Sequence, residues 1–226
     1  MNAASEAKGL SLPLLHSLPM FSGVTDAQLS QIALFARYRQ VPRNTVIVRA
    51  GDHSDSLYVI VSGSVKVLNT DLEGREVILT LLGRGDFFGE MTLIDGSPRS
   101  ADVLSTEATD LLIIPKLEFE RCLTGSFELC LNIMKGLVQR LREADGKIES
   151  LALLDVYGRV AKLLLDFSEL EKTGERVIRR KLSKQDIAKM IGSSREMVSR
   201  VMKGLEERGY IQVKKGMIIL NDKVVR

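Results

Sequence analysis

Residues 183–205 read SKQDIAKMIGSSREMVSRVMKGL, and this stretch decides the fold of the 226-residue chain. Ser183-Lys184-Gln185-Asp186 has the form of a helix N-cap, and Ile187, Ala188 and Ile191 follow at helical spacing. Gly192 turns the chain, and Ser193-Ser194-Arg195-Glu196 is a capping box that starts a second helix. The small Ala188, the turn Gly192 and the apolar Val198 recur where the two helices of a helix-turn-helix must cross closely. In the second helix Val198, Val201, Met202 and Leu205 form one stripe, and Arg195, Glu196, Ser199, Arg200 and Lys203 fall opposite it. Tyr210 to Val213, the turn Lys214-Lys215-Gly216 and Met217 to Leu220 then predict a hairpin, the wing of a winged helix.

The residue types on the exposed face suit DNA. An arginine fork can bind guanine O6 and N7 together, and a carboxylate can accept from cytosine N4. Arg195, Glu196 and Arg200 stand near a helix N-terminus, where recognition helices meet base edges, and Ser194 and Ser199 beside them are candidate DNA contacts. Lys203, Lys214 and Lys215 are placed for phosphate, which positions a domain without reading sequence. The competing reading is a surface Glu196–Arg200 pair one turn apart. Charge agrees with a polyanion partner for this part of the chain. Residues 158–226 hold 17 Lys and Arg against 9 Asp and Glu, a net of +8, while the rest carries a net of −5.

Upstream, Met134, Leu137, Leu141, Ala144, Ile148 and Leu151 follow one another at alternating spacings of three and four. That is a heptad seam, suited to pairing with the same helix of a second chain. A helix packed on its own domain is the alternative. Asp145 and Gly146 interrupt the zipper, glycine at about 1 kcal/mol relative to alanine.

Farther upstream the pattern changes to short strands: Thr45 to Val48, Ser56 to Ser62, Val65 to Leu68, Glu76 to Leu82, Ala101 to Val103 and Asp110 to Ile114. Glycine turns separate them, which argues for a small sandwich or jelly roll. A helix opening on a Thr25–Gln28 capping box precedes the strands, and Lys116 to Leu123 is a short helix after them. Val160 to Leu170 reads as an apolar helix, Glu171 to Glu175 as a polar loop and Val177 to Leu182 as a strand. Within the strand region Phe87-Phe88-Gly89-Glu90-Met91-Thr92-Leu93 and Pro98-Arg99-Ser100-Ala101 form a cassette. A buried arginine near N–H donors suits a phosphate anion, and a carboxylate suits a sugar hydroxyl. A structural Glu90–Arg99 ion pair would use the same residues.

Other classes fall away on composition. No apolar run spans a membrane. Residues 1–18 lack the layout of a secretory signal, so a cytoplasmic protein with a loose N-terminal arm is expected. Two cysteines, Cys122 and Cys130, read as reduced core residues and cannot hold an iron–sulfur cluster. His16 and His53, the chain's two histidines, leave a cupin-like metalloenzyme without a ligand set and a haem sensor without a placed ligand. The expectation is therefore no enzyme, and no metal, haem or cluster.

These residues bring the chain to a resemblance. It resembles the CRP/FNR superfamily of transcription regulators over nearly its whole length. The shared elements are Leu57 to Val65, Gly89-Glu90 with Arg99-Ser100-Ala101, Leu151 to Val156 with Gly158-Arg159, and Ser194-Arg195-Glu196 with Arg200. The resemblance implies an α+β protein. Residues 1–18 would be an arm, 19–125 a cyclic-nucleotide-binding β-roll (jelly roll), 126–154 a dimerisation helix and 155–226 a winged helix-turn-helix. It implies that Arg99 and Ser100 hold a cyclic phosphate, Glu90 a ribose hydroxyl, and Gly89 lets backbone approach, with Met91, Thr92 and Ala101 lining the cassette. Arg195, Glu196 and Arg200 resemble the readers of a TGTGA-type half-site. The implied partners are a second copy, palindromic duplex DNA and RNA polymerase, with no membrane. A ligand-independent DNA binder with a vestigial cassette is the alternative.

One departure bears on the ligand. The cyclic-AMP members touch adenine with a threonine and a serine on the dimer helix, where this chain has Ala144 and Asp145. An ionised carboxylate only accepts, and guanine offers N1–H and its N2 amine side by side. Asp145 thus favours a guanine nucleotide such as cyclic di-GMP, family frequency favours cyclic AMP, and the two stay nearly even. The loop Glu171 to Glu175 is shorter than the family activator's polymerase-contacting loop, which leaves activation or repression open.

Overall fold

A computed structural model describes residues 11–172, 175–214 and 216–221. Two four-stranded antiparallel sheets make the roll. Strands β1 (Arg37–Val41), β8 (Thr109–Pro115), β3 (Ser56–Ser62) and β6 (Phe87–Phe88) lie in that order in one. In the other the order is β2 (Val46–Val48), β7 (Asp102–Ser105), β4 (Val65–Thr70) and β5 (Glu76–Leu82). Strand β3 explains why its sequence is an unbroken apolar run rather than an alternating one. Tyr58 and Ile60 face the second sheet, with Val65, Leu82 and Val103. Leu57, Val59 and Val61 face a helical layer containing Leu29, Phe119 and Leu129. A strand covered on both faces has no polar side to show.

The helical layer corrects the N-terminal expectation. Helix α1 (Leu12–His16) and the 3-10 turn Pro19–Phe21 bury Leu15, Leu18 and Phe21 in the roll's core, so residues 11–18 are part of the domain rather than a loose arm. The arm's residues 1–10 lie outside the described set. Helix α2 (Asp26–Phe35) starts on the Thr25–Gln28 capping box. Strands β1 and β6 escape the sequence reading because β1 is mostly exposed and polar, and β6 is two residues long. Helix α3 (Glu90–Asp95) also escapes, being a single turn and a half between two left-handed glycines, Gly89 and Gly96. Helix α4 is Lys116–Gly125. Cys122 and Cys130 are free and half-buried, and burial raises the Cys122 thiol pKa.

Helix α5 runs 27 residues, Phe127–Leu153, about 40 Å. The chain divides into two compact units within this helix, between Arg140 and Leu141. Its first half buries Leu129 and Ile133 in the roll. From Met134 onward an apolar stripe lies open, with Leu141 62% and Ile148 65% exposed. Leu137 is the exception, because it packs partly against the roll's core. No helix among the described residues is long and apolar enough to cross a membrane.

In the second unit α6 (Val156–Asp166) begins and ends earlier than the apolar pattern predicts. The Asp155 carboxylate accepts from Gly158 N at 2.8 Å and sets the start. The helix stops before Leu170, which instead belongs to β9 (Glu169–Leu170), paired with β10 (Arg176–Ile178). Of the loop after β9, Thr173 and Gly174 lie outside the described residues. Helix α7 (Lys184–Ile191) is capped by Ser183 as expected, whereas α8 (Arg195–Glu207) is capped one residue later than the Ser193–Glu196 box would place it, by Ser194 accepting from Met197 N. Strands β11 (Ile211–Lys214) and β12 (Met217–Leu220) form the wing hairpin. Val160, Leu164, Ile187, Val198, Leu205 and Ile218 share one core.

Candidate functional site

The roll's cassette is built around two charges that water cannot reach. Glu90 is 2% exposed and Arg99 4%. Each must find protein partners or lose several kcal/mol. Arg99 Nη1 donates to Gly89 O at 2.5 Å, and Nη2 donates to Ser56 O at 2.7 Å and Ser54 Oγ at 3.0 Å. Its Nε has no partner. Burial lowers the pKa of the guanidinium, against the attraction of Tyr58, Glu90 and Asp55. Gly89 is required twice over. Its φ of 88° is left-handed, and a Cβ there would stand 2.4 Å from Arg99 Nη1.

Glu90 does not pair with Arg99. Its Oε1 accepts from Arg140 Nη1 at 2.8 Å, and its Oε2 is buried without a partner. Arg140 comes from α5 and also donates to the Phe87 carbonyl. The cassette thus has one unsatisfied acceptor, suited to a hydroxyl, and one unsatisfied cationic N–H, suited to an anion. Thr92 and Ala101 are buried with them. Met91 and Ser100 sit outside this buried cluster, both exposed, with Ser100 Oγ 3.8 Å from Met91 Sδ. Ser54, Ser56 and Arg140 are the participants missed from sequence. Arg140 carries no local signal, being fifty residues from Glu90.

On α5, Ala144 of the heptad pattern and its neighbour Asp145 are both exposed. A Cβ at Gly146 would meet nothing within 4 Å, so packing within this chain does not demand that glycine.

The winged unit arranges its residues by short-range caps. Ser183 Oγ accepts from Asp186 N at 3.0 Å, and Ser194 Oγ from Met197 N at 3.1 Å. Gly192 closes α7 with φ 62°, and Arg159 Nη1 donates to the last carbonyl of that helix, Ile191 O, at 2.9 Å. With the apolar stripe of α8 buried, Arg195, Glu196, Arg200 and Lys203 are exposed and Ser199 is half-buried. Among the described residues Glu196 and Arg200 form no ion pair with each other, while Lys203 reaches Glu207 at 3.6 Å. Lys214 is exposed on the wing, and Lys215 lies outside the described residues. The Lys181 side chain runs beside the wing turn, 3.7 Å from where a Gly216 Cβ would stand, and was not singled out from sequence.

Comparison with known proteins agrees with both halves. Residues 38–126 match the family model of the cyclic nucleotide-binding domain, and residues 158–223 that of the Crp-like helix-turn-helix domain. The chain is 35% identical to the cAMP-activated global transcriptional regulator Vfr of Pseudomonas aeruginosa over 202 residues, covering 86% of this chain and 94% of that one. It is 33% identical to the cAMP-activated global transcriptional regulator CRP of Salmonella typhimurium, covering 83% and 90%. Among solved structures it is similar to the c-di-GMP responsive global regulator CLP of Xanthomonas campestris, with a TM-score of 0.73 and 27% identity over 87% of this chain and 99% of that one. These relatives are transcription regulators rather than enzymes. A buried hydroxyl-and-anion cassette and a basic helix-turn-helix on one chain therefore have one common explanation: the protein belongs to the CRP/FNR family of cyclic-nucleotide-binding, DNA-binding transcription regulators.

Proposed function

We propose that the protein is a homodimeric cytoplasmic regulator whose affinity for a TGTGA-like palindrome is controlled by one cyclic nucleotide, cyclic AMP or a guanine nucleotide such as cyclic di-GMP. The carrying observation is the pair of buried, unpartnered atoms, Glu90 Oε2 and Arg99 Nε, in one cassette. A sugar hydroxyl and a phosphate oxygen would satisfy both. We assign nucleotide binding to residues 19–125, dimerisation to 126–154 through Met134, Leu137, Leu141, Ala144, Ile148 and Leu151, and DNA binding to 155–226. Arg195, Glu196 and Arg200 read bases in this scheme, and Ser194, Lys203, Lys214 and Lys215 hold phosphate. RNA polymerase is the partner of the bound form.

The two ligand readings rest on different supports. The names of the relatives Vfr and CRP support cyclic AMP. The exposed Asp145, an acceptor where adenine readers carry hydroxyls, supports guanine, as does the name of CLP. Control is by population shift: the nucleotide favours one arrangement, and operator DNA must tighten or weaken nucleotide binding by the same factor.

Isothermal titration with cyclic AMP, cyclic GMP and cyclic di-GMP, with and without operator DNA, tests the scheme. Binding of none, with no change in operator affinity, leaves a constitutive DNA binder. Asp145→Ala separates the ligands: it should abolish guanine-nucleotide binding while the dimer persists in sedimentation. Unchanged affinity would make Asp145 a solvated helix charge.

A further inference from the structure

Gly136 stands inside α5, where glycine is less favourable than any residue but proline. Its neighbour supplies the reason. A Cβ at Gly136 would come within 2.9 Å of Phe87 Cε1 and Cζ. Phe87 is itself buried in the roll's core, so its ring cannot swing aside into solvent. Arg140 lies one turn further along the same helix face. Its guanidinium carbon sits 4.7 Å from the centroid of that ring, and the group donates to both the Phe87 carbonyl and Glu90 Oε1. The ring is held at its edge by bare helix backbone and covered by a cation. The same cation fixes one oxygen of Glu90 and leaves the other, buried and unpartnered, at a set angle.

We propose that Gly136 is a positioning residue for nucleotide recognition: only without a side chain there can α5 close on Phe87 so that Arg140 orients the Glu90 carboxylate toward a sugar hydroxyl. The proposal rests on the reading of Glu90 as the acceptor of that hydroxyl. A methyl group at position 136 displaces the ring or the helix. Either movement takes Arg140 off its bed and frees the carboxylate to turn.

The test compares a nucleotide with its 2′-deoxy form by isothermal titration of the full-length protein, using whichever of cyclic AMP and cyclic di-GMP binds. The native protein should prefer the ribose form by roughly 10- to 100-fold, the range for a hydrogen bond to a charged group. Gly136→Ala should cut that preference to within about threefold, the loss expected when the charged acceptor is misaimed. Equal weakening of both nucleotides by Gly136→Ala would mean a packing role alone and overturns the proposal. Should that variant not fold, Arg140→Lys serves, since an ammonium cannot fork between the Phe87 carbonyl and Glu90. A preference left intact by Arg140→Lys likewise overturns it. No ribose preference in the native protein removes the reading of Glu90 and the proposal together. A native preference that persists in Gly136→Ala removes the proposal alone.

Discussion

The recognition helix draws Ser194, Arg195, Glu196, Arg200 and Lys203 from ten consecutive residues and leaves them exposed, whereas the cassette collects Ser54, Ser56, Gly89, Glu90, Arg99 and Arg140 from four separate stretches and buries Glu90 and Arg99. The difference is one of what each charge does before a ligand arrives. An exposed arginine on α8 is solvated and contributes little to stability. Buried Arg99 already ties β3, and Ser54 just before it, to the turn at Gly89 through three hydrogen bonds. Binding and stability are therefore separable at the exposed charges of α8 and inseparable at Arg99.

Substitutions can break that contrast, and they rank by expected cost to folding. Arg99→Ala should be the most severe. It strands the carbonyls of Gly89 and Ser56, and urea denaturation followed in the roll should register a loss of about 3 kcal/mol along with loss of nucleotide binding. A variant that binds no nucleotide at undiminished stability would show the cassette to be no more structural than α8. Ser194→Ala removes the cap of α8 and should lower the stability of the winged unit by about 1 kcal/mol. Arg195→Ala should change unfolding by less than about 0.5 kcal/mol. Its effect belongs to binding instead: about 1–3 kcal/mol at its cognate base pair, read by competition with base-substituted operators. An equal loss on every sequence would reassign Arg195 to phosphate.

The same contrast governs how far residue patterns alone could be read. Within the winged unit the helix-turn-helix was legible to within a residue, because the caps of its helices and the turn at Gly192 act over three or four residues. In the roll, Ser56–Ser62 and Glu76–Leu82 were legible with their ends, since apolar runs bounded by turns announce themselves. Strand β1 was not, because Arg37–Val41 is polar and becomes a strand through its pairing with β8. The burial of residues 11–18 was equally hidden: a short apolar segment takes its meaning from the sheet face available to it. Helix α6 was misplaced at both ends because its first turn, set by the Asp155 cap, precedes the apolar spacing, and that spacing runs on into β9.

By itself the sequence determined the class of architecture, the helix-turn-helix, the heptad seam and the presence of Gly89, Glu90 and Arg99 as a candidate cassette. All of these depend on periods and caps that neighbouring residues set. Tertiary structure alone decided which groups meet. Glu90 takes Arg140 rather than Arg99, Gly136 matters to Phe87 while Gly146 meets open space, and Leu137 is shared between seam and core. Those outcomes follow from burial, which strips water from a charge and obliges it to find whichever partner the packed chain delivers, however distant in sequence.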